Sequence, residues 1–273
     1  MFTRFLRGST VKFDLLLPST LFLISSAGLL LFSKLEDKLE AISSKERLRV
    51  RDVVLIVLVM GVMVTIMVVM PERIMQVLLL FSSSSLLFLL THLIVPKWPL
   101  ALLTPLAFLL SYFLYWNLIL MDLFAVLFVV SAILYISVFF TWKTTLAFAG
   151  LLTAMDVIQV FGTRHMVAAA EKMSGLRLPI LVVVPMYPSS GYVALGLGDL
   201  LLSGLLAIQT TRRWNRRKGL TCCALTAATL MTGEVIALNT THHFLPATLF
   251  ISLGWLITLG PTLLIKGSTP KSP

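Results

Sequence analysis

The chain alternates long apolar stretches with short polar ones. Nine stretches approach the length needed to cross a bilayer, near 13–33, 53–71, 74–95, 98–116, 117–140, 144–163, 189–211, 219–240 and 244–266. Roughly 20 apolar residues cross the hydrocarbon layer as a helix. A spanning segment must satisfy its own backbone N–H and C=O groups, and the ten-residue alternation of a barrel strand is absent from the sequence. The pattern therefore predicts an all-α integral membrane protein of nine transmembrane helices. Only Trp116-Asn117 separates the fourth stretch from the fifth. Two segments are polar enough to be loops. In Ser33 to Asp52, mixed charges accompany Leu35, Leu39, Ile42 and Leu48, a spacing that continues the first helix or lies on the membrane surface. The second runs from Arg164 to Pro188 and holds Ile180, Leu181, Val182, Val183 and Val184 between Pro179 and Pro185. That run is too short to span, and its β-branched content predicts an extended strand. The expected organisation is a six-helix bundle over 1–163, a connecting loop over 164–188 and a three-helix part over 189–273.

Composition supports the membrane reading. The 273 residues are 58% hydrophobic and 12% charged, with a mean hydropathy of +0.97; a soluble domain carries about 25% charged residues. A water-soluble core of this size has no room for so much apolar surface. The net charge of +10 would suit nucleic acid in a soluble protein. Here the basic residues sit between apolar runs, so they are read as orienting the chain and touching anionic lipid headgroups, with no nucleic-acid partner. Cys222 and Cys223 are neighbours at the start of an apolar run, which suits two small buried residues and not a disulfide framework. The first run follows Arg4, Arg7 and Lys12 and lacks a small-residue cleavage site, so it is read as a span. Counted by side over nine spans, fifteen Lys and Arg fall with the C-terminus and seven with the N-terminus. Most of the excess comes from Lys34 to Arg51 and from Arg212, Arg213, Arg216, Arg217 and Lys218. The imbalance predicts an external N-terminus and a cytoplasmic C-terminus.

Four acids fall inside the apolar stretches: Asp122, Asp156, Asp199 and Glu234. A carboxylate at the bilayer centre costs on the order of 2.5–3.5 kcal/mol even on lenient scales. No Lys or Arg lies deep in a stretch to offset it, so these acids pair with each other, stay protonated or meet water. Asp199 follows Gly196, Leu197 and Gly198, whose glycines remove side chains where another backbone approaches. Two neighbouring carboxylates share a proton, which suits peptide hydrolysis: one takes a proton from water and the other donates to the carbonyl oxygen. The same pair would also suit proton- or cation-coupled transport, and the residues alone leave that open. His92, His165, His242 and His243 do not form the paired-histidine helix of a zinc protease, and no serine has glycine two places before it. Among proteolytic chemistries this leaves the aspartyl type. Asp122 is expected at the interface and Glu234 in a hydrogen-bonded packing role. Asn239-Thr240-Thr241 fits a glycosylation sequon that abuts the membrane.

Gly196-Leu197-Gly198-Asp199 resembles the Gly-x-Gly-Asp motif of the presenilin and signal peptide peptidase family of intramembrane aspartyl proteases. Asp156 stands where that family has its first catalytic aspartate. The stretch from Asp156 to Thr163 is similar to the signal peptide peptidase version of that helix. The likeness continues at Met166, Val167 and Ala168, and again from Pro179 to Pro185. Leu245-Pro246-Ala247-Thr248-Leu249 takes the place of the family's Pro-Ala-Leu element. There are two departures, Met155 where the family has tyrosine and Thr248 where it has leucine. The resemblance implies that Asp156 and Asp199 are catalytic, and that Met155, Gly196, Leu197, Gly198, Leu245, Pro246 and Ala247 support the site. It implies cleavage within transmembrane segments of other proteins, type II or signal-peptide-like ones in this orientation, with no metal and no organic cofactor. Ile180, Leu181, Val182, Val183 and Val184 are the expected substrate-pairing strand. The implied partners are transmembrane peptides and membrane lipids.

Overall fold

The computed structural model describes residues 12–42, 47–163, 172, 178–240 and 245–264. Met166, Val167, Ala168, His165, His242 and His243 lie outside the described residues, as does most of the 164–188 loop. The described residues form ten α-helices, a π-helical turn and one two-stranded sheet. Among the described residues six helices are long and apolar enough to cross a membrane, and two shorter apolar helical segments run over Trp98–Leu114 and Ala247–Gly260.

Helix α1 (Leu16–Ile42) starts at Asp14, whose carboxylate accepts the Leu17 N–H at 2.8 Å and caps the exposed amides of the first turn. It continues beyond the apolar stretch, so the first half of the polar Ser33–Asp52 segment is helix. Arg212 holds that extension by ion pairs to Glu36 at 3.1 Å and to Glu40 at 2.5 Å. Helices α2 (Val50–Val69) and α3 (Glu72–Ile94) follow. The Lys172 ammonium donates to the Met67, Val68 and Met70 carbonyls, a cation on the negative end of α2. The expected fourth span is broken into α4 (Trp98–Ala101) and α5 (Leu103–Leu114). Pro105 supplies the reason: it has no N–H for the Ala101 carbonyl. Helix α6 (Leu118–Phe139) is capped by Asn117, which accepts the Leu120 N–H at 2.8 Å. Helix α7 (Trp142–Val157) is capped by Thr141 and passes directly into a π-helix over Ile158–Thr163.

The all-α expectation fails at one place. Strands β1 (Leu181–Pro185) and β2 (Tyr192–Gly196) form an antiparallel hairpin with Val182 opposite Leu195 and Val183 opposite Ala194. Strand β1 matches the extended segment expected from the valine run. Strand β2 does not: it occupies the start of the stretch read as a spanning helix over 189–211. Helix α8 begins only at Leu197 and ends at Arg213. Both strands turn one face to the core, where Val182 and Leu195 are buried, and the pairing satisfies backbone groups that a helix would otherwise have satisfied. At the hairpin turn Gly191 has φ +130°, a conformation that disfavours any side chain. Asp14 also accepts the Tyr187 N–H at 2.6 Å, tying the hairpin turn to α1.

Helices α9 (Arg216–Asn239) and α10 (Ala247–Leu264) complete the chain. Helix α1 packs on α6, α8 and α9, α10 closes on α9 and α7, and α2 packs on α7. Small and hydroxyl residues permit the close crossings. Ser203 bridges Ser25 at 3.0 Å and Thr226 at 3.2 Å, and a Cβ on Gly204 would come within 2.4 Å of Ile133. Cys222 and Cys223 are free and buried.

Candidate active site

Asp156 is the next-to-last residue of α7, and Asp199 is the third of α8. Both are buried, at 8% and 9% exposure. They line one cavity of about 410 Å³. The lining also includes Gln159, Gly196, Gly198 and Thr248, with apolar walls from α2 (Ile56, Met60, Val64), α6 (Ile136, Phe139) and α7 (Phe148, Leu152). Among the described residues, none of those lining it is Lys, Arg or His.

Local structure explains how the acids come to face each other. The switch from α to π geometry immediately after Asp156 widens the helix where the carboxylate leaves it. Asp199 sits in the first turn of α8, where the helix dipole and free amides favour an acid. The two glycines have different jobs. A Cβ on Gly196 would lie 3.2 Å from the Asp199 Oδ2, so this glycine makes room for the carboxylate itself. A Cβ on Gly198 would meet nothing within 4 Å, so Gly198 keeps the cavity open. Among the described residues no other backbone lies within 4 Å of either Cβ site, although Gly196 itself pairs with Leu181 in the hairpin.

The other expected support residues divide. Leu197 donates its N–H to the Ile180 carbonyl at 3.3 Å, joining the hairpin to α8. Leu245, Pro246 and Ala247 lead into α10, with Pro246 buried, and bring Thr248 to the cavity. Met155 is absent from the cavity lining. Its thioether end lies against Gly61 of α2, where a Cβ would fall 1.2 Å from its Cε. One helical position from Asp156 turns the side chain away from the acid and into the α2–α7 interface.

Hydrogen-bond parity in the hairpin sorts its inner from its outer backbone groups. Leu197 N–H to Ile180 O and Met186 N–H to Gly191 O fix the bonded pairs as Val182 with Leu195 and Val184 with Val193. Val182 therefore points its backbone groups at β2. On the outer edge of β1, the Val183 N–H is taken by Asp122 Oδ1 at 2.9 Å, and Pro185 has none. On β2, Tyr192 and Ala194 direct theirs outward, away from β1.

Sequence reasoning missed several contributors. Gln159 is buried and donates to the Gly61 carbonyl at 3.2 Å, three residues after Asp156; an i, i+3 relation to a buried acid was the available signal. Asp14, ahead of an apolar run, carried the signature of a helix cap. Glu234 was expected to be hydrogen-bonded, and both its carboxylate oxygens are buried without a hydrogen-bond partner among the described residues. Asp122 is a hairpin anchor, with α6 and β1 too far apart in sequence for pattern reading to connect them.

No curated protein was found with significant similarity to the chain. A family model described as signal-peptide peptidase, presenilin aspartyl protease matches residues 19–200, two thirds of the chain and a range that includes positions 156 and 199. With two buried aspartates facing one cavity among apolar helices, the chain belongs to the signal-peptide peptidase and presenilin family of aspartyl proteases.

Proposed function

We propose that this chain is an intramembrane endopeptidase in which Asp156 and Asp199 act together as general acid and base. The observation that carries the reading is the placement of two acids from different helices in one apolar cavity whose described lining holds no basic residue. In the reaction, the ionised carboxylate removes a proton from water as its oxygen bonds to the peptide carbonyl carbon. The protonated partner gives its proton to the carbonyl oxygen. Collapse of the resulting diol breaks the C–N bond, and a proton passes from a carboxyl group to the leaving amine. Neither step calls for a metal or an organic cofactor.

The fourth span is supplied by α4 with α5 and the sixth by α7 with its π-turn, while α8 and α10 are the seventh and ninth. Nine spans in alternation put Lys34–Arg51 and Arg212–Lys218 at one end of the bundle. The Arg212 ion pairs to Glu36 and Glu40 support that placement. The basic end is then cytoplasmic and the N-terminus external. The favoured substrates are type II or signal-peptide-like segments, met from the lipid across the exposed apolar face of α2.

A substrate helix hides its carbonyls in its own hydrogen bonds and must unwind before cleavage. The unwound segment pairs with the hairpin by strand addition. The outer edge of β2 is better suited than β1, because Asp122 already occupies the Val183 N–H. From Ala194 the chain leads through Gly196 to Asp199, so a paired strand is delivered to the dyad.

The test is cleavage of a synthetic transmembrane peptide by the purified full chain, with products identified by mass. Asp156→Asn and Asp199→Asn should each abolish cleavage, a loss on the order of 10⁴-fold or more for residues acting as one unit, with melting unchanged. Ion flux without peptide products would instead favour a transporter that uses the same acids.

A further inference from the structure

We infer that Thr248 is a positioning residue of the dyad, its hydroxyl donating to the Asp156 carboxylate and accepting from the attacking water. The inference rests on the protease reading above and adds a member to its site.

Thr248 is the second residue of α10 and is 2% exposed. Its side chain lines the cavity that holds both acids. Among the described residues its hydroxyl makes no hydrogen bond, and the Asp156 carboxylate shares the same cavity wall. Catalytic hydrogen bonds that are long or misaligned without substrate commonly tighten when it arrives. One contact holds the two helices in register. Thr153 Oγ1 and Ser252 Oγ are 2.8 Å apart. Thr153 is one turn before Asp156 on α7, and Ser252 is one turn after Thr248 on α10. The helices run antiparallel, so these are adjacent rungs of one polar ladder, and the Thr153–Ser252 rung sets Thr248 opposite Asp156.

The chemistry follows from the hydroxyl's capacity, one donor and two acceptor lone pairs. With its hydrogen committed to Asp156, it still offers acceptor positions to a water between the two acids. An aliphatic side chain here can shape the cavity but cannot orient the carboxylate or the water. Buried hydroxyls are ordinarily hydrogen-bonded, and the ladder rung at Thr153 and Ser252 puts Asp156 at the level of this one.

The experiment compares Thr248→Val, which is nearly isosteric, with Thr248→Ser, which keeps the hydroxyl, in the full-length protein reconstituted with a transmembrane peptide substrate. Val should lower kcat by roughly a hundredfold, the lower end of the scale for losing one oriented donor. KM should change by less than about threefold, and Ser should restore most of kcat. Wild-type kcat in the Val variant, a loss confined to KM, or a Ser variant as slow as the Val variant overturns the inference. Should the Val variant fail to fold, Thr248→Ala removes the hydroxyl without adding a methyl, and must show the same kcat loss that Ser repairs. Asp199→Asn is measured alongside. Its inactivity confirms the dyad independently of Thr248, and its activity would overturn the protease reading itself.

Discussion

Helix α2 is joined to the helix of Asp156 at one glycine, and that contact can be weighed. Gly61 is buried against α7, and a methyl built on it would sit 1.2 Å from the Met155 Cε and 2.9 Å from its Sδ. The Gln159 Nε2 would be 3.4 Å away, an ordinary contact, so its bond to the Gly61 carbonyl survives. In Gly61→Ala, Met155 must therefore withdraw or α2 must retreat. Overpacking costs about 1–3 kcal/mol. The lower end applies, because the displaced atoms are the flexible end of a methionine. Met155→Ala alone also costs about 1–2 kcal/mol, less than a fully buried methionine, because Met155 is only half-buried. In the double variant the methyl added by Gly61→Ala occupies part of the vacated space. The two costs should then fall short of their sum by about 1 kcal/mol, well beyond the ~0.3–0.5 kcal/mol scatter of independent sites. The assay is a double-mutant cycle on unfolding in detergent micelles, with peptide cleavage measured on the same four proteins. Activity should follow the same pattern, since α2 forms a wall of the dyad cavity. Additive costs would refute the argument, showing that Met155 is not seated on Gly61.

Three further outcomes are expected. Ala194→Pro removes an outward N–H of β2 without touching the β1–β2 ladder, so cleavage should slow about tenfold, the worth of one hydrogen bond near 1–1.5 kcal/mol, with melting little changed. Val182→Pro should instead lower the melting temperature, since its N–H belongs to the ladder, and equal melting of the two variants would place the free edge on β1. A reporter fused to the N-terminus should be reached by membrane-impermeant label from outside the cell, and labelling only after permeabilisation would reverse the orientation and the substrate class with it.

The hairpin shows where pattern reading stops. The valine run from Ile180 to Val184 was legible as a strand because β-branched residues between prolines have few other uses. Its partner was not, because Tyr192 to Gly196 is apolar enough to read as the start of the helix that follows. Strand pairing joins residues by register across a turn, and nothing in the local composition of β2 announces it. The break between α4 and α5 had a readable cause in Pro105, but hydropathy averaged over a span conceals it.

By itself the sequence determined the membrane, the helices and the two acids. Apolar length is a property of consecutive residues, and a carboxylate inside such a stretch is conspicuous because lipid makes it costly. The tertiary structure alone decided what surrounds Asp156 and Asp199. It turned Met155 away to Gly61, brought Gln159 and Thr248 into the cavity, and gave Gly196 and Gly198 separate tasks. It also engaged the edge of β1 with Asp122. Each depends on the direction in which a side chain leaves its helix and on which distant element it meets there, and the order of residues along the chain does not encode either one locally.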